Sequence, residues 1–154
     1  MASEVEAKLQ ALGHTLPPPP TAAANYVGAV TVGSLVFVSG HGPVKDGGYP
    51  YLGKLGQDMD VATGQKAAEL TILNALASLK AEIGDLDRVR RVVKLLGMVN
   101  CTPDFKEQPA VINGASNLLT SIFGERGKHA RSAVGFVALP FGIPVEIEMI
   151  VEIG

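Results

Sequence analysis

The stretch from Val145 to Ile153 constrains the fold most, because Val145, Ile147, Met149 and Val151 alternate there with Glu146, Glu148, Ile150 and Glu152. Side chains of an extended strand point to opposite faces with a period of two, so one face of this strand is apolar and the other carries carboxylates. A dry strand face needs something to pack on. Ala68, Ile72, Ala75, Leu76, Leu79 and Ile83 recur at helical spacing after Asp58 or Asp60, and Gly84 closes the run. Gln65, Lys66, Glu69 and Lys80 take the wet side of that helix. Helix and strand together demand a sheet with helices laid on it.

The remaining elements follow from local chemistry. Tyr26 to Ser39 reads as a hairpin that turns at Gly33-Ser34 into the apolar run Leu35-Val36-Phe37-Val38. The glycines and prolines of residues 40–57 read as loop. Val89 to Val99 is rich in β-branched residues and reads as a strand. Pro109 suits the first turn of a second helix, with Ala110, Asn113, Asn117 and Ser121 up one side and Ile112, Leu119 and Ile122 toward the core. Residues 124–129 form a polar loop. Ser132–Leu139 and Val145–Ile153 read as a second hairpin joined by Pro140-Phe141-Gly142-Ile143-Pro144. The order is ββαβαββ, an α+β class in which two helices cover one face of the sheet. At the front, Ser3 can cap a short helix bearing Val5, Leu9 and Leu12, Gly13 stops it, and Pro17 to Pro20 form a polyproline spacer. Residues 1–21 are therefore expected as an appendage and 22–154 as the domain.

A length of 154 residues suits one domain. Hydrophobic residues make up 47% and charged ones only 18%, which leaves apolar surface to spare and points to a homo-oligomer. No stretch approaches the roughly 18 to 20 apolar residues of a spanning helix. The net charge of -2 and the scattered Arg88, Arg90, Arg91 and Lys94 argue against nucleic acid as a partner. A lone cysteine, Cys101, excludes an intramolecular disulfide framework. The charged start, without an apolar signal core, makes the cytoplasm the default location.

No zinc-ligand cluster, P-loop, dinucleotide fingerprint or GxSxG motif is present, so neither metal nor cofactor is expected. His41, between Gly40 and Gly42, reads as an exposed turn histidine. Arg131 opens a strand whose next eight residues carry no charge. Such an arginine can fork onto a carboxylate through two parallel hydrogen bonds, or it can be a strand-end charge in solvent or in an intrachain ion pair. Glu146 and Glu148 are either the solvated face of the last strand or carboxylates buried by a neighbour and needing a partner or a role. In the expected hairpin, Arg131 and Glu146 share one sheet.

Two separated motifs resemble one family. Tyr26-Val27 followed by Leu35-Val36-Phe37-Val38-Ser39-Gly40-His41-Gly42-Pro43 resembles the opening hairpin of the reactive-imine deaminase (Rid, YjgF-type) family. Arg131-Ser132-Ala133-Val134-Gly135, then Leu139-Pro140 and Val145-Glu146-Ile147-Glu148, resembles its C-terminal signature. The likeness spans residues 22–154 and implies a chorismate-mutase-like fold with a mixed sheet, a homotrimer, and clefts between adjacent subunits. It implies hydrolysis of 2-imino or enamino acids to 2-oxo acids and ammonia. By the same resemblance Arg131 holds the substrate carboxylate and Glu146 positions water, while Tyr26, Ser39, Gly40, Asn113 and Ala133 line the cleft. Many members have cysteine where this chain has Ala133. Water is the nucleophile and a protonated imine is already electrophilic, so a thiol is not obligatory. The alternatives are a non-catalytic binder of small carboxylates in the same cleft and, further off, RNA cleavage.

Overall fold

The computed structural model describes residues 3–154; Met1 and Ala2, the start of the expected N-terminal piece, lie outside the described residues. The elements are α1 (Glu4–Ala11), β1 (Ala29–Val32), β2 (Leu35–His41), α2 (Val61–Ile83), β3 (Val89–Asn100), α3 (Gln108–Phe123), β4 (Ala130–Phe136) and β5 (Val145–Ile153). Helix α2 begins where the Asp60 side chain accepts the Thr63 amide, and ends at Gly84, whose φ of 87° is open to glycine but costly for other residues. Helix α3 carries a proline in its first turn, as expected.

The five strands form one mixed sheet of order β1-β2-β5-β3-β4. Both β2 and β3 pair with β5 in antiparallel sense, whereas β4 runs parallel to β3 from Lys94↔Ala130 to Asn100↔Phe136. The expected hairpin of the last two strands is therefore replaced by another pairing. Helix α3 is a crossover long enough to return the chain parallel to β3, which puts β4 at the sheet edge. Residues 137–144 then carry the chain past β3. Beyond them β5 enters the centre of the sheet, where Val145, Ile147, Met149 and Val151 are buried beneath the helices.

Helices α2 and α3 cover one face. Gly97 of β3 shows the fit: a Cβ there would stand 2.6 Å from Ile112 of α3. The other face carries exposed Val30, Val32, Leu35, Phe37, Val134 and Phe136. Only a small cluster of Met98, Leu139 and Ile143, with Leu96 against it, folds the 137–144 connection onto that face. Helix α1 is packed into the body. Val5 and Leu9 belong to the main core, and Asp87 accepts the Val5 and Glu4 amides at 2.9 and 2.8 Å and the Ser3 hydroxyl at 2.8 Å. Among the described residues no helix is long and apolar enough to cross a membrane.

Candidate functional site

The register places Arg131 and Glu146 on opposite faces. Arg131 pairs with Leu95, a fully buried residue of the helix-covered face, and Ala133 pairs with Gly97 on the same side. Glu146 pairs with Met98, whose side chain lies on the helix-free face. Strand β3 also separates their two strands, adding about 10 Å at the usual strand spacing. One chain thus brings together two groups of candidate residues, and it does not bring Arg131 to Glu146.

The first group is built by β4 and α3. The Arg131 guanidinium donates from Nη1 to Ser116 Oγ at 3.1 Å and from Nη2 to the Pro109 carbonyl at 3.3 Å. Asn113 lies between those residues on α3, one turn from Ser116. His129 completes the network. Its Nδ1 donates to the Gly127 carbonyl at 2.6 Å, which leaves Nε2 to accept from the Ser116 hydroxyl at 2.9 Å. Desolvation lowers the His129 pKa, against the Gly127 hydrogen bond that raises it, and the nearby Arg131 charge lowers it further. Among the described residues no carboxylate forms an ion pair with Arg131. The intrachain ion pair considered from the sequence is absent there, and the guanidinium is held by neutral acceptors with its charge unmatched.

Cys101 lies on the same side of the sheet, farther along. Its Sγ would stand 2.8 Å from a Cβ on Gly135, and Gln108 Nε2 donates to it at 3.6 Å. Gly135 is two residues beyond Ala133 on the same strand face. Ala133 itself is partly buried against the core.

The second group surrounds a cavity of about 230 Å³ lined by Tyr26, Gly40, His41, Tyr49, Phe141 and Glu146, among others. Glu146 sits directly on Gly40: a Cβ there would be 2.8 Å from Glu146 Oε1. The strand accommodates this through an irregular register between Val38 and His41. Burial raises the Glu146 pKa, and the neighbouring Glu148 raises it further. Ser39 is not among the residues lining this cavity; it borders a shallow groove beside Lys94 and Glu148, and its hydroxyl donates to the Val27 carbonyl at 2.6 Å.

His41 corrects the expectation of an exposed turn. It closes β2, is only 7% exposed, and its Nδ1 donates to the Ser39 carbonyl at 2.6 Å while Nε2 accepts from Ser78 at 2.8 Å. Burial lowers its pKa against the Ser39 hydrogen bond, so it stands neutral behind the cavity. Ser78, Ser116 and His129 were not singled out in the sequence. Only the helical offset of Ser116 from Asn113, and the two-residue offset of His129 from Arg131, offered a signal. Among the described residues no cluster of histidine, cysteine and carboxylate side chains forms a metal site.

The chain has relatives along nearly its whole length. It is 47% identical over 153 residues to Protein TCP17 of Trypanosoma cruzi, covering 99% of this chain and 96% of that protein. It is similar to the crystal structure of Atu1372 from Agrobacterium tumefaciens, a protein of unknown function, with a TM-score of 0.93 and 49% identity over 98% of this chain and 93% of the other. A "putative endoribonuclease" from Shewanella oneidensis MR-1 superposes with a TM-score of 0.94 and 35% identity, over 99% of this chain and 100% of that one. The family described as "YjgF/chorismate_mutase-like, putative endoribonuclease" matches residues 6–150, and the chain belongs to it.

Proposed function

We propose that the protein hydrolyses reactive 2-imino or enamino acids to 2-oxo acids and ammonia in clefts between neighbouring copies, assembled as a homotrimer. The observation that carries this is the separation of Arg131 from Glu146 onto opposite sheet faces, each without an ion-pair partner among the described residues of its own chain. A ligand with an anionic carboxylate at one end and an electrophilic carbon at the other matches an unpaired guanidinium facing a carboxylate from the next copy. The exposed apolar residues of the helix-free face supply a surface on which copies associate.

In this reading Arg131 clamps the substrate carboxylate, with Asn113 beside it and Ala133 on the same strand. Tyr26, Ser39 and Gly40 come from the neighbouring copy together with Glu146. Glu146 takes a proton from water as the water oxygen bonds to the imine carbon, then returns it to the nitrogen. The resulting carbinolamine expels ammonia and leaves the 2-oxo acid, with no redox step. A carboxylate of raised pKa suits a group that must both take and give a proton. The site needs neither thiol nor cofactor for this.

The test generates imines in place with an amino-acid oxidase and follows ammonia release. Acceleration by the protein, lost in Arg131→Ala, supports the deaminase. An unchanged rate with wild-type protein sinks it. Light scattering reads the trimer, calorimetry with 2-oxobutanoate tests the site directly, and Glu146→Gln separates the two readings: retained binding with no rate to lose favours a plain carboxylate binder. Against RNA cleavage, Arg88 spends its guanidinium on the Ile83 and Gly154 carbonyls, and Arg91 donates to the Lys128 carbonyl, which breaks up the densest basic run.

A further inference from the structure

The Glu146 cavity is walled largely by residues outside the family motifs. One wall is the N-terminal strap. Helix α1 is fastened by Asp87 and by the Lys80–Glu6 pair at 2.6 Å, and His14 Nε2 meets Glu69 at 3.1 Å just beyond it. The run Pro17–Pro20 has restricted φ angles and spans outward from that anchor. It delivers Pro20, Thr21, Ala22 and Ala23 to the cavity.

Another part of the lining is aromatic. Tyr49 and Phe141 stack with ring centroids 5.3 Å apart and planes 19° apart. Phe141 is 71% exposed and has a φ of 61°, a left-handed backbone that is strained for a bulky residue. A ring so exposed gains little from core burial, and what it does gain is the stack and a place on the cavity wall. Ile143 and Pro140 add to the lining, in which, among the described residues, Glu146 is the only carboxylate and no lysine or arginine stands.

We infer that the strap Pro20–Ala23 and the stacked pair Tyr49–Phe141 form the specificity wall of the Glu146 site and select 2-imino acids with bulky, neutral, apolar side chains. This deepens the deaminase reading and rests on it. An anionic side chain entering this lining loses hydration, finds no cation and faces the like charge of Glu146, while a cationic one would pair with Glu146 and take it from its role. A methyl side chain leaves most of the cavity unfilled. Each further methylene in an apolar pocket is worth on the order of tenfold in discrimination.

The experiment compares kcat/KM for imines made from alanine, leucine, phenylalanine and glutamate. Wild-type protein is expected to favour the leucine and phenylalanine imines over that of alanine by about tenfold or more, with the glutamate imine poorest. Phe141→Ala, and Ala22→Trp from the strap side, lower the phenylalanine value about tenfold and the alanine value by a clearly smaller factor. Phe141→Asn, which tolerates the left-handed backbone, separates loss of the ring from loss of folding. Equal values across the neutral series, or variants that lower every substrate by one factor, overturn the wall. If no imine is hydrolysed, the deaminase reading fails by itself, and calorimetry decides the wall. Phenylpyruvate binding more tightly than pyruvate, with the gap closed by Phe141→Ala, upholds it, and equal or absent binding overturns it.

Discussion

Glu146 Oε1 lies 2.8 Å from where a side chain at Gly40 would begin, so the carboxylate occupies the space that a glycine leaves free. Because the contact is with the far end of a flexible side chain, Gly40→Ala is expected to fold. It pushes the carboxylate out of place instead. A displacement of about 1 Å at a reacting group costs up to ~100-fold in rate. Ammonia-release kinetics should show a large fall in kcat, with a melting temperature close to that of the wild type.

Among the described residues Arg131 is held by Ser116 and Pro109 and by no carboxylate, which leaves its charge for a ligand. Arg131→Ala is expected to weaken 2-oxobutanoate binding by about 2–4 kcal/mol, the usual cost of truncating one partner of a desolvated charge pair. Arg131→Lys retains the charge and loses the fork, and should recover only part of that loss. Titration calorimetry measures both.

The titrating groups pull stability in opposite directions with pH. Glu146 has a raised pKa through burial and then Glu148, so its contribution is fully present below the ordinary carboxylate value and is lost as pH rises through the raised one. His41 has a depressed pKa through burial, so its contribution is present above 6.5 and is lost as pH falls through the depressed value. Glu146→Gln should therefore gain stability over wild type as the pH rises toward neutral, and match it under more acid conditions. His41→Gln should flatten the acid side below 6.5. Denaturant midpoints across pH 4 to 8 read both slopes.

Burial would raise the pKa of Asp87, yet the Val5 and Glu4 amides and the Ser3 hydroxyl hold it below the ordinary value. Asp87→Ala removes these acceptors from the start of α1 at a cost of about 1 kcal/mol. Hydrogen exchange should show residues 4–11 opening while β5 stays protected. With the strap loosened, discrimination between leucine and alanine imines should narrow.

The legible parts of the fold were those specified locally. The alternation in β5, the face of α2 and the turn at Gly33-Ser34 each depend on neighbours a few positions away. The place of β4 was not legible, because an edge strand takes its partner from the crossover before it. The acceptor that seats α1 lies 84 positions from Ser3, so Val5 and Leu9 showed an apolar stripe and not its destination. For the candidate site, residue identities came from motif resemblance, while the division of Arg131 and Glu146 between faces depends on register. The burial of His41 was hidden by the glycines beside it, which read as loop and are in fact places of close approach, Gly40 to the Glu146 carboxylate and Gly42 to Ile143.

The central place of β5 also orders events during synthesis. Strands β2 and β3 bond to β5 on its two sides and not to each other, so the strand that joins them is made only after both have left the ribosome. Until residue 153 emerges, two apolar strand edges stand unpaired, which makes the nascent chain dependent on rapid completion or on a holding chaperone. Removing β5 should thus leave two half-sheets that cannot close, whereas the loss of β1, an outer strand, would leave the middle of the sheet intact.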